Sequence, residues 1–162
     1  MTEIINKITS YNLFNYLFPG ILFVIIASKW TIYDFQVENI VLGVFLYYFI
    51  GMTISRIGSL WIEKILKKSK VVKFSDYKDF VVCSKKDDKI NLFLEINNTY
   101  RTLISLGFCL IIIKLYSELD RAIEIPEIYT TFILLIFTVY LYVLSYQKQT
   151  KYINKRIKAN KD

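Results

Sequence analysis

Residue types that usually carry out catalysis are scarce in this chain. The sequence contains no histidine, so a His-based acid–base pair, a Ser-His-Asp triad and a His-ligated metal are all excluded. The only two cysteines, Cys83 and Cys109, are too far apart in sequence to form a CxxC motif. There is no glycine-rich phosphate-binding loop. We therefore expect a protein that is not an enzyme, with no cofactor and no metal site.

One set of charged and amide residues could act through electrostatics. It consists of Arg56, Glu63, Glu95, Asn97, Asn98 and Arg101. Arg56 and Glu63 are seven residues apart, which places them on one face of a helix. Charges near the edge of an apolar segment tend to pair or to face a polar cavity. Two interpretations remain open: salt bridges that fix helix register, or a vestibule or docking surface for a partner.

A second pattern consists of small residues at helical spacing. Gly51, Ser55 and Ser59 recur every four residues, and Gly58 lies beside them. Small residues at this spacing allow two helix backbones to approach closely. The pattern predicts close helix packing, either within one chain or between chains.

Pro19 and Gly20 interrupt an otherwise regular apolar stretch. Proline removes one backbone hydrogen bond, so we expect the helix to kink near Asn15. The kink is either purely structural, which we favour, or a hinge with a polar lining.

These residues lie in or beside four apolar segments, at about 9–28, 39–61, 100–117 and 128–147. A membrane-spanning helix needs about 20 mostly apolar residues. The third segment reaches this length if the Lys114 ammonium snorkels outward. A soluble bundle would retain a polar face on each helix, and the fourth segment has almost none. The pattern predicts an all-α, four-helix transmembrane protein, with residues 1–162 as one integral membrane domain.

Charge asymmetry predicts the orientation. Of the 21 Lys and Arg residues, only Lys29, Lys114 and Arg121 fall in the loops on one side. The other 18 include Lys7 and lie on the opposite side, which the positive-inside rule places in the cytoplasm. We therefore expect a multi-pass protein of the bacterial inner membrane with both termini cytoplasmic.

The main aqueous part is predicted to be a small cytosolic helical cap at 62–99, between the second and third spans. Ser75 is the expected N-cap of a short helix within it. A basic cytosolic tail follows at 148–162. We expect these basic residues to contact anionic membrane lipid. Direct nucleic-acid binding is disfavoured, because no groove-reading motif is present.

Two segments carry a resemblance to a known family: Tyr11–Gly20 (YNLFNYLFPG) and Ser55–Leu60 (SRIGSL). They resemble small four-helix membrane proteins of bacterial anti-phage defence systems, and the layout along most of the chain is similar to that of Kiwa membrane subunits. The resemblance implies a membrane-embedded oligomer that senses infection and works with a cytosolic, DNA-binding partner. It concerns architecture, so no functional residue is carried over.

Two functions follow as expectations. The first is a non-enzymatic scaffold or sensor of the inner membrane that forms a homo-oligomer and works with a cytosolic protein partner. The alternative is a pore-forming or membrane-disrupting effector, assembled as a homo-oligomer around the second helix.

Overall fold

The computed structural model describes residues 10–160 and is all-helical, with 83% helix and no strand in that range. Lys7, residue 9 of the first predicted span and residues 161–162 of the predicted tail lie outside the described residues. We number five helices. They are α1 (Ser10–Asn12, a π-helical turn at Leu13–Leu17, and Phe18–Trp30), α2 (Ile40–Lys68, with a π-helical turn at Gly58–Ile62), α3 (Tyr77–Ser84), α4 (Lys89–Ile123) and α5 (Glu127–Ala159).

Four of these helices, α1, α2, α4 and α5, are long and apolar enough to cross a membrane. The predicted all-helical class is therefore confirmed, as is the presence of four helices with the length and composition of membrane spans. Two helices are longer than the apolar segments that predicted them: α4 has 35 residues and α5 has 33. Most of the predicted tail is thus a continuation of α5.

Local side chains set the helix ends. The Asn39 carboxamide oxygen accepts hydrogen bonds from the backbone N–H groups of Val41 and Leu42, at 3.0 and 3.1 Å, and starts α2. Helix α3 starts one residue later than predicted, because the N-cap is Asp76 rather than Ser75. The Asp76 carboxylate accepts a hydrogen bond from Lys78 N–H at 2.8 Å.

Helices α1, α2 and α4 pack together around a buried apolar core formed by Ala27, Ile54, Leu106 and Leu110. Helix α5 packs against the outside of α2. Its rings stack on that helix in two places: Tyr142 on Phe49 and Phe137 on Trp61, each with ring centroids 5.9 Å apart. Most of the α5 surface is therefore exposed.

The end of the bundle that carries α3 is here called the basic end. It comprises residues 56–101 and 148–160, and it holds most of the described Lys and Arg residues. Helix α3 contacts the end of α5: the rings of Tyr77 and Tyr152 lie 6.3 Å apart, and Lys85 Nζ donates to Asn160 Oδ1 at 2.6 Å. The opposite end, with loops at 31–39 and 124–126, is called the loop end.

Candidate functional site

The strongest concentration of buried charge in the described chain surrounds Glu63 at the basic end. This residue is only 8% exposed. Its carboxylate accepts hydrogen bonds from Arg101 Nη1 at 2.8 Å and from Lys67 Nζ at 2.9 Å, and Lys148 Nζ lies 3.7 Å away. These four residues are called the Glu63 cluster. They connect α2, α4 and α5, and positive charge is in excess.

The second π-helical turn shapes this cluster. In an α-helix, the Glu63 N–H would donate to the carbonyl of Ser59, but here it donates to the carbonyl of Gly58. The Ser59 carbonyl instead accepts a hydrogen bond from Lys148 Nζ at 2.6 Å, and the Ser59 hydroxyl lies 2.7 Å from the same ammonium. The turn thereby holds α5 against α2 through one lysine.

Further into the bundle, a polar network of Asn15, Ser55 and Thr102 joins α1, α2 and α4. All three residues are at most 5% exposed. Thr102 Oγ1 donates to Asn15 Oδ1 at 2.7 Å, and Asn15 Nδ2 donates to Ser55 Oγ at 3.2 Å. A buried polar group is costly unless it is hydrogen-bonded, so the partners satisfy one another across three helices.

The first π-helical turn brings Asn15 into this network. Pro19 has no N–H to donate to the carbonyl of Asn15, and its ring crowds that carbonyl. The helix responds with a π-helical turn at Leu13–Leu17, where the Phe18 N–H donates to the carbonyl of Leu13. The interruption that the sequence predicted near Asn15 is thus a π-helical turn, with Asn15 itself fully buried at its centre.

The small-residue face of α2 packs within the chain. Gly51 meets Gly20 at the crossing of α1 and α2, where a Cβ added to Gly51 would lie 1.7 Å from the carbonyl oxygen of Tyr16. An added Cβ on Gly58 would lie 3.2 Å from Ser105 Cβ on α4. Each small residue of this face therefore has a neighbour in the same chain, including Ser55 and Ser59 through the hydrogen bonds above.

The structure separates the predicted charged set. Glu63 and Arg101 pair directly. Asn98 lies nearby and donates to the Tyr11 hydroxyl at 3.4 Å. Glu95 and Asn97 are exposed on α4 and belong to no cluster. Arg56 does not pair with Glu63, because the π-helical turn between them inserts a residue and breaks the seven-residue register of an α-helix.

Sequence reasoning did not identify Lys148, Thr102 or Ser105 as site residues. Ser105 is fully buried, and its hydroxyl donates to the carbonyl of Ile54 at 2.9 Å. The available signal was weak: a lone hydroxyl in an apolar segment is common, and Lys148 marked only the end of a span. Their roles depend on neighbours that are distant in sequence.

Arg56 occupies a cleft between α2 and α5, here called the Arg56 cleft. Among the described residues, its guanidinium makes no hydrogen bond or ion pair, although the side chain is partly buried. The cleft is lined by Arg56, Ser59, Leu60, Ser145, Lys148, Gln149 and Tyr152. None of these lining residues is acidic.

The loop end has its own polar contacts. Ile32 N–H donates to Ser117 Oγ at 3.1 Å, and the Tyr33 hydroxyl donates to Asp120 Oδ2 at 2.5 Å. Burial raises the pKa of the Tyr33 hydroxyl, and the hydrogen bond to the Asp120 carboxylate raises the same pKa further. These bonds tie the 31–39 loop to α4.

No cluster of three or more Cys, Asp or Glu residues that could hold a metal ion occurs between residues 10 and 160. The arrangement at the basic end instead offers several cations around one carboxylate, which suits the binding of an anion. No family model, curated protein or solved structure matches this chain.

Proposed function

We propose that this protein is a non-enzymatic scaffold or sensor of the bacterial inner membrane that assembles with further copies of itself and works with a cytosolic protein partner. The membrane placement is supported by four long apolar helices. Orientation is supported by the charge asymmetry, since 16 of the 19 Lys and Arg residues between residues 10 and 160 belong to the basic end. The basic end would then face the cytoplasm, with α3 as part of a small cap.

The observation that carries the proposal is an exposed apolar surface on the first turns of α4. Leu92 is 54% exposed, Phe93 63% and Ile96 40%. These residues precede the apolar span predicted at 100–117, so lipid tails would not cover them. Large apolar side chains grouped on a surface in water mark interaction sites. This surface supports a partner on the cytoplasmic side.

Contacts between copies are supported by the position of α5. The small-residue face of α2 is covered by α1 and α4 of the same chain and, at Ser59, by Lys148 of α5, so it is not free for a second copy. Helix α5 packs only loosely on the rest of the bundle, with 11% of its most apolar window buried. We propose that α5 supplies the contact between copies.

Two natural cysteines allow the placement to be tested. Cys83 is exposed on α3, and Cys109 is partly buried within the apolar part of α4. With a membrane-impermeant maleimide, we expect Cys83 to react only after the inner membrane is opened. In a Gln36→Cys variant, the exposed loop-end thiol is expected to react in intact cells. Labelling of Cys83 in intact cells would contradict the orientation, and recovery of the protein in a detergent-free supernatant would contradict membrane placement.

The partner surface can be tested by site-specific crosslinking in cells. We expect a photoreactive amino acid in place of Phe93 to give a covalent adduct with one cytosolic protein. The same group in place of exposed Lys86 is the control and is expected to give none. If both positions give no adduct, and the purified protein conducts ions in vesicles, the pore-forming alternative would replace the scaffold.

The resemblance to Kiwa membrane subunits supports a role in antiviral defence, with a DNA-binding protein as the cytosolic partner. In that case, phage should form fewer plaques on cells that carry the genes for this protein and its partner than on cells that lack the gene for this protein. A substitution of Phe93 by Glu should remove the protection without removing the protein from the membrane. Equal plating with and without the gene would refute the defence role while leaving the scaffold proposal intact.

A further inference from the structure

Arg56 carries a positive charge that no group between residues 10 and 160 pairs with, and its guanidinium nitrogens remain accessible to solvent. Its side chain is partly buried and lies at the end of the α-helical part of α2. By contrast, the neighbouring cations Lys67, Arg101 and Lys148 all share the carboxylate of Glu63. A charge at the edge of an apolar layer normally pairs or faces a polar cavity.

The surroundings of Arg56 suit an anion. Lys148 lines the same cleft, and its ammonium is bound to Ser59, which fixes its position. The Glu63 carboxylate, which lies 3.7 Å from Lys148 Nζ, already accepts hydrogen bonds from Arg101 and Lys67. Three cations therefore share the Glu63 carboxylate, and no acidic residue lines the cleft that holds Arg56. Gln149 and Tyr152 add neutral polar groups at its edge.

The shape of the ligand follows from the guanidinium. Arginine presents N–H donors in a planar fork that matches two oxygens of a phosphate group.

An apolar groove adjoins the cleft. The cleft lies where the apolar part of α5 ends, and the shallow groove lies on α5 just before that point. That groove is lined by Thr138, Val139, Tyr142, Val143 and Tyr146. Tyr142 is seven residues before Gln149, so the groove and the cleft adjoin along one side of α5.

We propose that the Arg56 cleft binds a phosphate group, with Arg56 as the bidentate donor and Lys148 as the second cation, and that the phosphate belongs to an anionic phospholipid. Basic pockets between membrane helices on the cytoplasmic side bind such headgroups. The apolar groove on α5 is then in place to hold an acyl chain. The inference rests on the proposed placement of the protein in a membrane.

The test compares lipid binding by variants of the full chain, purified in detergent. The probes are phosphatidylglycerol, phosphatidylcholine as the zwitterionic reference with no net charge, and inorganic phosphate. The measurement is the number of bound lipids by native mass spectrometry. We expect phosphatidylglycerol to bind the natural protein in preference to phosphatidylcholine. Arg56→Gln should weaken that binding by about tenfold, the effect of losing a charge-assisted hydrogen bond. Lys64→Gln removes an exposed cation of the same helix and is expected to change little.

A second pair of variants applies if Arg56→Gln does not fold. Gln149→Glu places a carboxylate at the edge of the cleft and is expected to abolish the preference for phosphatidylglycerol. Thr150→Glu adds the same charge one residue further on, outside the cleft, and should preserve it. Equal preference in the two Glu variants would show that the binding is general attraction to the basic end, and would overturn the site.

Competition with inorganic phosphate shows whether the bound phosphate group belongs to a lipid or to a free anion. If millimolar phosphate leaves phosphatidylglycerol bound to the natural protein, a lipid is the ligand. If phosphate displaces the lipid through Arg56, the phosphate chemistry holds but the assignment to a lipid is overturned. Failure of the site is also distinct from failure of the proposed function. A protein that stays in the membrane fraction without preferring phosphatidylglycerol refutes only this inference.

Discussion

Gly20 and Gly51 face each other where α1 crosses α2, so closely that neither position has room for a side chain. A Cβ on Gly20 would lie 1.8 Å from the carbonyl oxygen of Tyr47, and one on Gly51 would lie 1.7 Å from that of Tyr16. The obstacle at each position is backbone, which cannot rotate away as a side chain can. The contact therefore allows only glycine at these two positions while α1 and α2 stay this close.

Gly51→Ala is expected to destabilise the purified protein by about 2 kcal/mol, within the range for overpacking a tight contact. The reason is that α1 and α2 must separate to admit the methyl group. Thermal or denaturant unfolding in detergent, followed by circular dichroism, measures the change.

Gly107→Ala is the matched control, because nothing lies within 4 Å of an added Cβ there. It should be neutral or should stabilise α4 by up to about 1 kcal/mol through helix propensity. Equal destabilisation by the two substitutions would show that the Gly20–Gly51 contact has no special role.

Thr102→Val should reveal the polar network. The substitution leaves Asn15 Oδ1 without its donor at 2.7 Å and is expected to cost about 1 kcal/mol of unfolding free energy. Combined with Asn15→Leu, it should cost less than the sum of the single changes by about 0.6 kcal/mol, the average coupling of hydrogen bonds between membrane helices.

Exposed Thr131 on α5 provides the control for this cycle. Thr131→Val makes the same chemical change without a buried partner and is expected to leave stability unchanged. Strict additivity of Thr102→Val and Asn15→Leu would contradict a direct interaction between the two side chains.

Glu63→Gln should be the most destabilising of the conservative polar substitutions. It leaves Arg101 and Lys148 facing each other without a carboxylate, and both side chains are largely buried, at 20% and 24% exposure. We expect a loss of about 3 kcal/mol, the lower end of the cost of an unpaired buried charge. Glu95→Gln, on the exposed side of α4, should change stability by less than about 0.5 kcal/mol. If the two substitutions had similar effects, the Glu63 cluster would contribute no more to stability than an exposed carboxylate does.

Tyr33 predicts a dependence of stability on alkaline pH. Its hydroxyl pKa is raised in the folded protein, so the unfolded chain releases this proton first as the pH increases. The stability contributed by the bond to Asp120 is complete below the ordinary tyrosine pKa of about 10 and is lost as the pH rises above it. Tyr33→Phe should therefore lose less stability than the natural protein between about pH 9 and about pH 11, the range around the ordinary tyrosine pKa. Parallel pH profiles for the two proteins would contradict this assignment.

The helices were predictable because the signals that specify them are local. Uncharged segments of about 20 residues predict spanning helices whatever surrounds them, and charge asymmetry predicts orientation by the same local counting. Pro19 marked the irregular turn near Asn15, since a missing N–H acts within one helical turn. The charged residues at the basic end were identifiable by type and position in the same way.

The pairings were decided by the tertiary structure. Thr102 meets Asn15 across 87 residues, and Lys148 meets Ser59 across 89. A sequence shows that a segment is apolar, but not which of its faces meets which neighbour. The π-helical turns add a further offset, since each inserts a residue into the helical register. For that reason Glu63 lies beside Arg101 and Lys148, while Arg56 has no hydrogen-bond or ion-pair partner among residues 10–160.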